Sequence, residues 1–185
     1  MQIKWGGTEI GFKDEAGVGT MTRHGRTWGL RGQTSIVKVS IQRGGYNVLS
    51  AVTVEGEMDY SIKDGTINGE RYIELEQLIS NRSRPLILLV DHATFHESKQ
   101  VREFVRTHRS LLRVFFLPKW APEFNLDEQV WNEIKNNRIG KQAVKNKEDL
   151  KERLVSALDS LKKNTKRVIS FFSLPDTQYA GANVS

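Results

Sequence analysis

Three acidic residues are positioned along the chain as the ligands of a divalent-metal site would be. Asp14 follows a short apolar run that begins at Ile10, Asp91 closes the run Leu86–Val90, and Glu128 lies near the start of a predicted helix. A carboxylate is costly inside an apolar strand unless it is paired or binds a metal. We therefore predict that Asp91 marks the polar end of a buried strand and serves there as a metal ligand.

The third acid has more than one interpretation. Glu128 stands three residues after Asn125, which is the spacing of a capping box, where the glutamate bonds back to the helix start. A helical projection also puts Asp127 nearer than Glu128 to the apolar stripe of Val130 and Ile134. The residues alone leave Glu128 and Asp127 as alternatives for the third ligand.

The elements that must position these acids follow from the apolar patterns. β-Branched runs predict strands at 34–42, 46–54 and 57–63, and the glycines at 44 and 45 are a hairpin signal between the first two. The second half predicts, in order, a helix at 68–79, a strand at 86–90, a helix capped by Ser98, a strand at 111–117, a helix from 125 and a long helix at about 147–163.

This element order predicts an α/β fold, namely an RNase H-like mixed sheet flanked by helices. In that fold Asp14 would lie on the first strand, Asp91 at the end of a neighbouring strand, and Glu128 on the following helix. The three acids would then share one edge of the sheet.

The composition is typical of a single domain in an intracellular protein. The 185 residues suffice for a single core, which we assign to residues 1–174, with residues 175–185 as a flexible polar tail. The sequence contains no cysteine, which excludes disulfides and thiolate metal sites, and it has no apolar run of about 18 residues. We expect a cytoplasmic protein without a membrane partner.

Basic residues are concentrated in the second half of the chain, where they predict a partner that is a polyanion. Lysine and arginine total 28 against 22 aspartates and glutamates. Basic stripes suit DNA held by its phosphates, although a solvated helix face has the same pattern. The residues predicted to bind DNA phosphates are Arg102, Arg106, Arg138, Lys141, Lys162, Lys163, Lys166 and Arg167.

Four ordered blocks of sequence resemble the catalytic domain of mariner-type DDE transposases, especially the bacterial insertion-sequence branch. The resemblance covers about residues 9–137. The blocks are Phe12-Lys-Asp-Glu, Thr27-Trp-Gly-Leu-Arg-Gly-Gln, Leu89-Val-Asp-His-Ala-Thr-Phe-His and Leu117-Pro-Lys-Trp-Ala-Pro-Glu-Phe-Asn-Leu-Asp-Glu-Gln-Val-Trp-Asn-Glu-Ile-Lys. In that family the third acid lies three residues before a tryptophan, which favours Glu128 over Asp127.

The resemblance implies cleavage of DNA at a transposon end, followed by attack of the freed 3′-hydroxyl on target DNA. It implies Mg²⁺ or Mn²⁺ as cofactor, with Asp14 bridging two ions and with Asp91 and Glu128 each holding one. Two ions about 3.5–4 Å apart stabilise both the entering and the leaving oxygen of an in-line displacement, and carboxylates are the ligands such ions prefer. A homodimer or higher oligomer on DNA, in the bacterial cytosol at the nucleoid, is also implied.

Several residues near the acids are candidates for supporting roles. His96 matches a position of the family and is expected to orient a carboxylate or to contact a phosphate. Trp120 and Lys119, in a loop bounded by prolines, and Lys135 are expected to contact DNA, whereas Trp131 is expected in the core.

Departures from the family pattern keep other functions open. His92 stands where relatives have Asn or Gly, and Leu126 replaces a proline. Relatives carry helix-turn-helix modules before the first acid, so we expect end recognition to come from a separate polypeptide, an upstream frame or a region removed from this chain. The alternatives are a non-catalytic DNA-binding or dimerisation relic of a transposase and a stand-alone nuclease of the same fold.

Overall fold

The structure is a computed structural model that describes residues 7–20, 31–32, 44–66, 69–80, 82–92, 94–118, 125–140 and 143–173. Its strands and helices are β1 (Glu9–Gly19), β2 (Gly45–Thr53), β3 (Met58–Lys63), α1 (Gly69–Ser80), β4 (Leu86–Val90), α2 (Lys99–Thr107), β5 (Leu112–Phe116), α3 (Asp127–Asn132), α4 (Lys147–Lys162) and α5 (Thr165–Phe171). A 3₁₀ turn spans Thr94–Glu97, and a π-helical segment, Glu133–Ile139, continues α3. None of the helices in these ranges is long and apolar enough to cross a membrane.

The strands form one mixed sheet in the order β3-β2-β1-β4-β5. The central strand β1 is antiparallel to β2, with Asp14 opposite Ser50, and parallel to β4, with Lys13 opposite Val90. β3 extends the antiparallel half and β5 the parallel half. Because β4 ends at Val90 while β1 continues, the chain leaves the sheet at Asp91, beside the middle of β1.

Apolar side chains cover both faces of the sheet. On one face Phe12 belongs to a core with Trp131 of α3 and Leu154 of α4. On the other face Leu88 packs in a second core with Ile79 of α1. Since β4 is covered on both faces, its sequence is a continuous apolar run rather than an alternating one. The predicted mixed sheet flanked by helices is confirmed.

The helix starts are set by side-chain caps. The Ser98 hydroxyl accepts a hydrogen bond from the Val101 N–H at the start of α2, as predicted, and Asn146 caps α4 in the same way. Asn164 caps α5, a helix that the apolar pattern did not predict. A helix of 7 residues spans only two turns, so its sequence period is too short to be distinguished from the end of α4.

β2 is paired with β1 along one edge and with β3 along the other between Asn47 and Val52. The hairpin predicted at the glycines at 44 and 45 needs the preceding strand as its partner. The predicted strand at 34–42 and the predicted tail at 175–185 lie outside the described residues.

Candidate active site

Two of the three predicted acids are brought side by side by the central strands. The parallel pairing of β1 with β4 ends at Lys13 and Val90, so Asp14 and Asp91 are the next residues on these two adjacent strands. Asp14 is half-buried, and the Asp91 side chain is 49% exposed. The sheet therefore fixes two carboxylates at one point, with one of them open to solvent.

The third element, α3, is attached to this point by Asp127. The Asp127 carboxylate oxygen Oδ2 accepts a hydrogen bond from the Asp14 N–H at 2.9 Å and one from the Ser50 hydroxyl at 2.6 Å. Asp127 and Ser50 are both fully buried. Glu128, the next residue along the helix, is exposed. The first turn of α3 therefore carries one acid into the core and presents the other to solvent.

The hydrogen bonds at the start of α3 test the alternative interpretations of Glu128 and Asp127. Leu126 is the N-cap of α3 and makes no side-chain cap bond, while the Asn125 side chain accepts from the Asp127 N–H at 3.3 Å. Glu128 is thus not the reciprocal partner in a capping box on Asn125, and that interpretation is wrong. The helical projection that put Asp127 on the apolar side is confirmed, because Asp127 has no exposed surface.

Burial and the negative charges of the two other acids both affect the pKa of Asp14. Burial is the main factor that raises the pKa of Asp14, to about 7, and the negative charges of Asp91 and Glu128 raise it further. A hydrogen bond from the Glu15 N–H at 2.7 Å opposes this change. The mutual effect shows that both other acids lie within electrostatic range of Asp14, where a cation would relieve their repulsion.

Neutral and basic groups are packed beneath the acids. His96 is 3% exposed, and its Nε2 lies 3.6 Å from Oδ1 of Asp91. Burial lowers the pKa of His96 to about 2, assisted by the charge of Lys13 and by His92, so its imidazole is neutral at pH 7. Lys13 is itself fully buried, and burial lowers its pKa to about 8 against the opposing charge of Glu76.

The side chains of the three acids are not close enough together to bind one metal ion. Within the described part of the chain, no three Asp, Glu or His side chains are close enough together to hold a metal ion. The expected convergence of Asp14, Asp91 and Glu128 is met in the placement of their elements but not at ligand distance. Like charges that lie within range of one another repel, which keeps exposed carboxylates apart.

Many of the basic residues predicted to bind phosphates are held in ion pairs. Arg102 lies 3.7 Å from Glu97 and Arg106 lies 2.7 Å from Glu103. The remaining paired groups are Arg138 and Arg167, both with Glu133, and Lys162 with Asp59 on the edge strand β3. Lys163 and Lys166 are exposed. Lys119, Trp120 and Lys141 lie outside the described residues.

Trp131 lies in the core as predicted, and two other side chains near the site make ring contacts. Trp131 is 5% exposed and belongs to the core, as predicted. The Lys135 ammonium lies 6.0 Å from the centre of the Trp131 ring. The expected contact of Lys135 with DNA stays a prediction. His92, by contrast, is exposed and stacks on Phe116 with ring centroids 5.1 Å apart.

Three polar residues of this site were missed from the sequence. They are Ser50, Lys13 and Glu76, all of which are fully buried, with no surface accessible to solvent. Lys13 carried a usable signal, because a lysine within an apolar strand must have a special environment. Ser50 and Glu76 carried none, since a serine in a strand and a glutamate in a helix are both ordinary surface residues.

Comparison with known proteins adds family and fold. A family model described as DDE superfamily endonuclease matches residues 9–151. The structure titled "Crystal structure of the catalytic domain of Mos1 mariner transposase" is 15% identical with a TM-score of 0.58, over 93% of this chain and 82% of that one. No curated protein sequence matches this chain.

Longer Mos1 structures have the same fold in part of their length. "Crystal structure of the Mos1 mariner paired end complex with Mn" is 16% identical with a TM-score of 0.61, over 93% of this chain and 55% of that one. "Mos1 transposase paired-end complex with left transposon end" is 17% identical with a TM-score of 0.57, over 91% and 55%. At these identities the likeness establishes the fold, which is RNase H-like as predicted, and this chain spans about 55% of the longer chains.

Proposed function

The chain belongs to the family of DDE superfamily endonucleases, and from this premise we propose that it is the catalytic domain of a mariner-type transposase. Its activity would be divalent-metal-dependent DNA cleavage followed by strand transfer. The single observation that carries the proposal is the neighbouring position of Asp14, on β1, and Asp91, which directly follows β4. The helix that carries Glu128 is bonded to the Asp14 backbone through Asp127.

The donor set fits Mg²⁺ or Mn²⁺. Asp14, Asp91 and Glu128 supply hard carboxylate oxygens, and burial, together with the negative charges of Asp91 and Glu128, raises the pKa of Asp14. A bound divalent cation supplies charge for the entering and leaving oxygens of phosphodiester cleavage and lowers the pKa of the attacking water. The use of two ions is part of the proposal and rests on the family likeness.

The protein's own groups prepare this site in two ways. Asp14 lies on the central strand, and its Oδ1 accepts a hydrogen bond from the Glu15 N–H at 2.7 Å, which restrains the carboxylate. His96 fills the space behind Asp91 as a neutral ring, which limits the rotation of that more exposed carboxylate. Outer groups of this kind orient metal ligands and keep their geometry between turnovers.

We propose that DNA is the substrate and is held mainly by its phosphates. The chain carries a formal net charge of +6, and Lys163 and Lys166 are exposed at the junction of α4 and α5. The related Mos1 structures include a paired-end complex with a left transposon end and a paired-end complex with Mn. A homodimer or higher oligomer on DNA, and a helix-turn-helix polypeptide that recognises the ends, remain parts of this proposal.

The proposal is tested by strand transfer of a pre-cut DNA end that carries a free 3′-hydroxyl, with Mn²⁺ and a supercoiled target. The unmodified chain should join the end, and Asp14→Asn, Asp91→Asn and Glu128→Gln should each lower the rate at least 100-fold while DNA affinity stays within threefold, because they remove metal ligands and no phosphate contact. Glu152→Gln, an exposed glutamate on α4, is the matched control and should retain full activity.

One observation favours a non-catalytic alternative. The described acids are not gathered at ligand distance, as would suit a relic that binds DNA or dimerises without cutting. An unmodified chain that binds DNA but neither takes up Mn²⁺ nor joins ends, even with a DNA-binding partner supplied, would support the relic. Cleavage of generic or branched DNA without end preference would instead support a stand-alone nuclease.

A further inference from the structure

The side chain of Asp127 connects α3 to the two strands β1 and β2. Its oxygen Oδ2 accepts from the backbone of β1 at Asp14 and from the side chain of β2 at Ser50. Asp14 and Ser50 face each other in the register of these strands. One side chain from the first turn of α3 therefore binds both members of a paired position in the sheet.

The hydrogen bond to Asp14 replaces one that the sheet cannot supply. β4 pairs with β1 only as far as Lys13, because β4 ends at Val90. Beyond this point, no strand among the described residues lies on the side of β1 that faced β4. A buried backbone N–H needs an acceptor, and the Asp127 carboxylate supplies one at 2.9 Å.

We propose that Asp127 is a positioning residue, which clamps the start of α3 to β1 and β2 and thereby fixes where Glu128 stands relative to Asp14. This inference rests on the proposed metal site, since it assigns Glu128 as the third ligand. Glu128 is adjacent in sequence to Asp127, so a shift of the clamp moves both residues together. The assignment differs from the interpretation in which Asp127 is itself the third ligand.

Burial favours the clamp over direct ligation. Asp127 has no exposed surface, and its second oxygen Oδ1 is also buried, with no hydrogen-bond partner among the described residues. Glu128 is exposed, and nearly half of the Asp91 side chain is exposed. A cation arriving with DNA would meet Glu128 and Asp91 first, whereas direct binding to Asp127 would require the helix to move away from the sheet.

The two roles make opposite predictions for a conservative substitution. In Asp127→Asn the amide oxygen can accept both hydrogen bonds, so a clamp survives while a carboxylate ligand is lost. In Asp127→Leu the branched shape is kept in a larger volume, but both hydrogen bonds are lost. Ser50→Ala removes one of the two donors and leaves the Asp14 bond in place, which gives a milder variant if Asp127→Leu does not fold.

The test measures Mn²⁺ binding to the full chain by calorimetry, together with exchange of the Asp14 amide proton by NMR. The clamp predicts that Asp127→Asn binds Mn²⁺ within threefold of the unmodified chain and keeps the Asp14 amide protected. It predicts that Asp127→Leu binds Mn²⁺ at least tenfold more weakly, as removal of outer-shell groups does, with faster amide exchange. Ser50→Ala should lie between these two variants in Mn²⁺ affinity.

Three results would overturn the inference. If Asp127→Asn loses Mn²⁺ as completely as Asp14→Asn, then Asp127 is a ligand. If Asp127→Leu, or Ser50→Ala where the former does not fold, lowers stability but leaves Mn²⁺ affinity unchanged, the contact is only structural. If the unmodified chain binds no Mn²⁺, the proposed function fails and the positioning role with it, while amide exchange still reports separately whether the clamp exists.

Discussion

Nε2 of His96 lies 3.6 Å from Oδ1 of Asp91, with the histidine buried and the aspartate half-exposed. The distance is longer than a hydrogen bond, and burial keeps the ring neutral because it lowers the pKa of His96 to about 2. A neutral imidazole donates one proton, so this pair becomes a hydrogen bond if Asp91 moves slightly inward. The ring therefore supports Asp91 without competing with a cation for its charge.

This relationship predicts the effect of removing the ring nitrogens. His96→Phe keeps an aromatic ring of similar size and should lower Mn²⁺ affinity about tenfold, because Asp91 loses the buried imidazole nitrogen beside its Oδ1. His92→Phe is the matched control, since His92 is exposed and stacks on Phe116. Calorimetric titration with MnCl₂ measures both. Equal losses in the two variants would contradict a specific role for His96.

Metal binding should stabilise the fold by relieving the repulsion among acids. At a Mn²⁺ concentration of 100 times Kd, the free energy of unfolding should rise by about 2.7 kcal/mol. Asp91→Asn should reduce most of this gain, whereas Glu152→Gln, on the far helix α4, should leave it intact. Urea unfolding with and without Mn²⁺ provides the measurement. A gain of the same size in Asp91→Asn would place the ion elsewhere.

Stability in acid should depend on Glu133. Burial tends to raise the pKa of Glu133, but hydrogen bonds from Arg167, Asn137 and Arg138 outweigh it and lower the pKa from 4.5 to about 2. The folded state thus favours the ionised form, so the contribution is complete above pH 4.5 and is lost as the pH falls toward 2. Glu133→Gln should cost about 2 kcal/mol at pH 7, allowing for partial solvent exposure of the partners.

The measurement is urea unfolding of both proteins between pH 7 and pH 3. The difference in unfolding free energy should be constant at neutral pH and should shrink below pH 4.5. A difference that grows in acid would contradict the lowered pKa. Glu103→Gln is a suitable control, because its ion pair with Arg106 is fully exposed and should contribute little.

DNA binding should depend on the basic residues that have no ion pair among the described contacts. Lys163→Glu with Lys166→Glu should weaken binding to any duplex and reduce the slope of log affinity against log salt by about 2, since each lysine neutralises roughly one phosphate. Arg106→Gln should have a smaller effect per charge removed, because the neighbouring Glu103 carboxylate offsets part of the charge of that guanidinium even though their exposed ion pair adds little stability. Fluorescence anisotropy across a salt series decides between them. Equal effects would restore the simpler picture of one continuous basic stripe.

The turn between β2 and β3 should tolerate no side chain at Gly56. This glycine has φ of 86°, and a Cβ there would stand 2.6 Å from a Thr165 side-chain carbon and 2.7 Å from the Thr165 carbonyl oxygen of α5. Gly56→Ala should therefore destabilise the fold by about 2 kcal/mol or more. Gly17→Ala, where the new Cβ makes only a 3.4 Å contact with Asn47, is the control. Comparable thermal shifts in the two variants would contradict this reading of the turn.

The sequence by itself determined the alternation of helices and strands from α1 to α4 and the position of two acids. The apolar run Leu86–Val90 is buried on both sides in any arrangement, so Asp91 had to follow a strand. The cap at Ser98 and the bounds of α4 depend mainly on local spacing, and both were found close to where they were predicted. These features are set by neighbours within a few residues, which is what a sequence pattern records.

Only the tertiary structure decided which neighbouring acid of α3 enters the core and which basic residues remain available. Asp127 and Glu128 differ by about 100° around one helix, and the docking of α3 against β1 and β2 selected Asp127 for burial. Likewise, Lys162 pairs with Asp59 and Arg167 with Glu133 across the fold. These partners are far apart in sequence, and their pairing depends on how the helices pack on the sheet, which no local pattern contains.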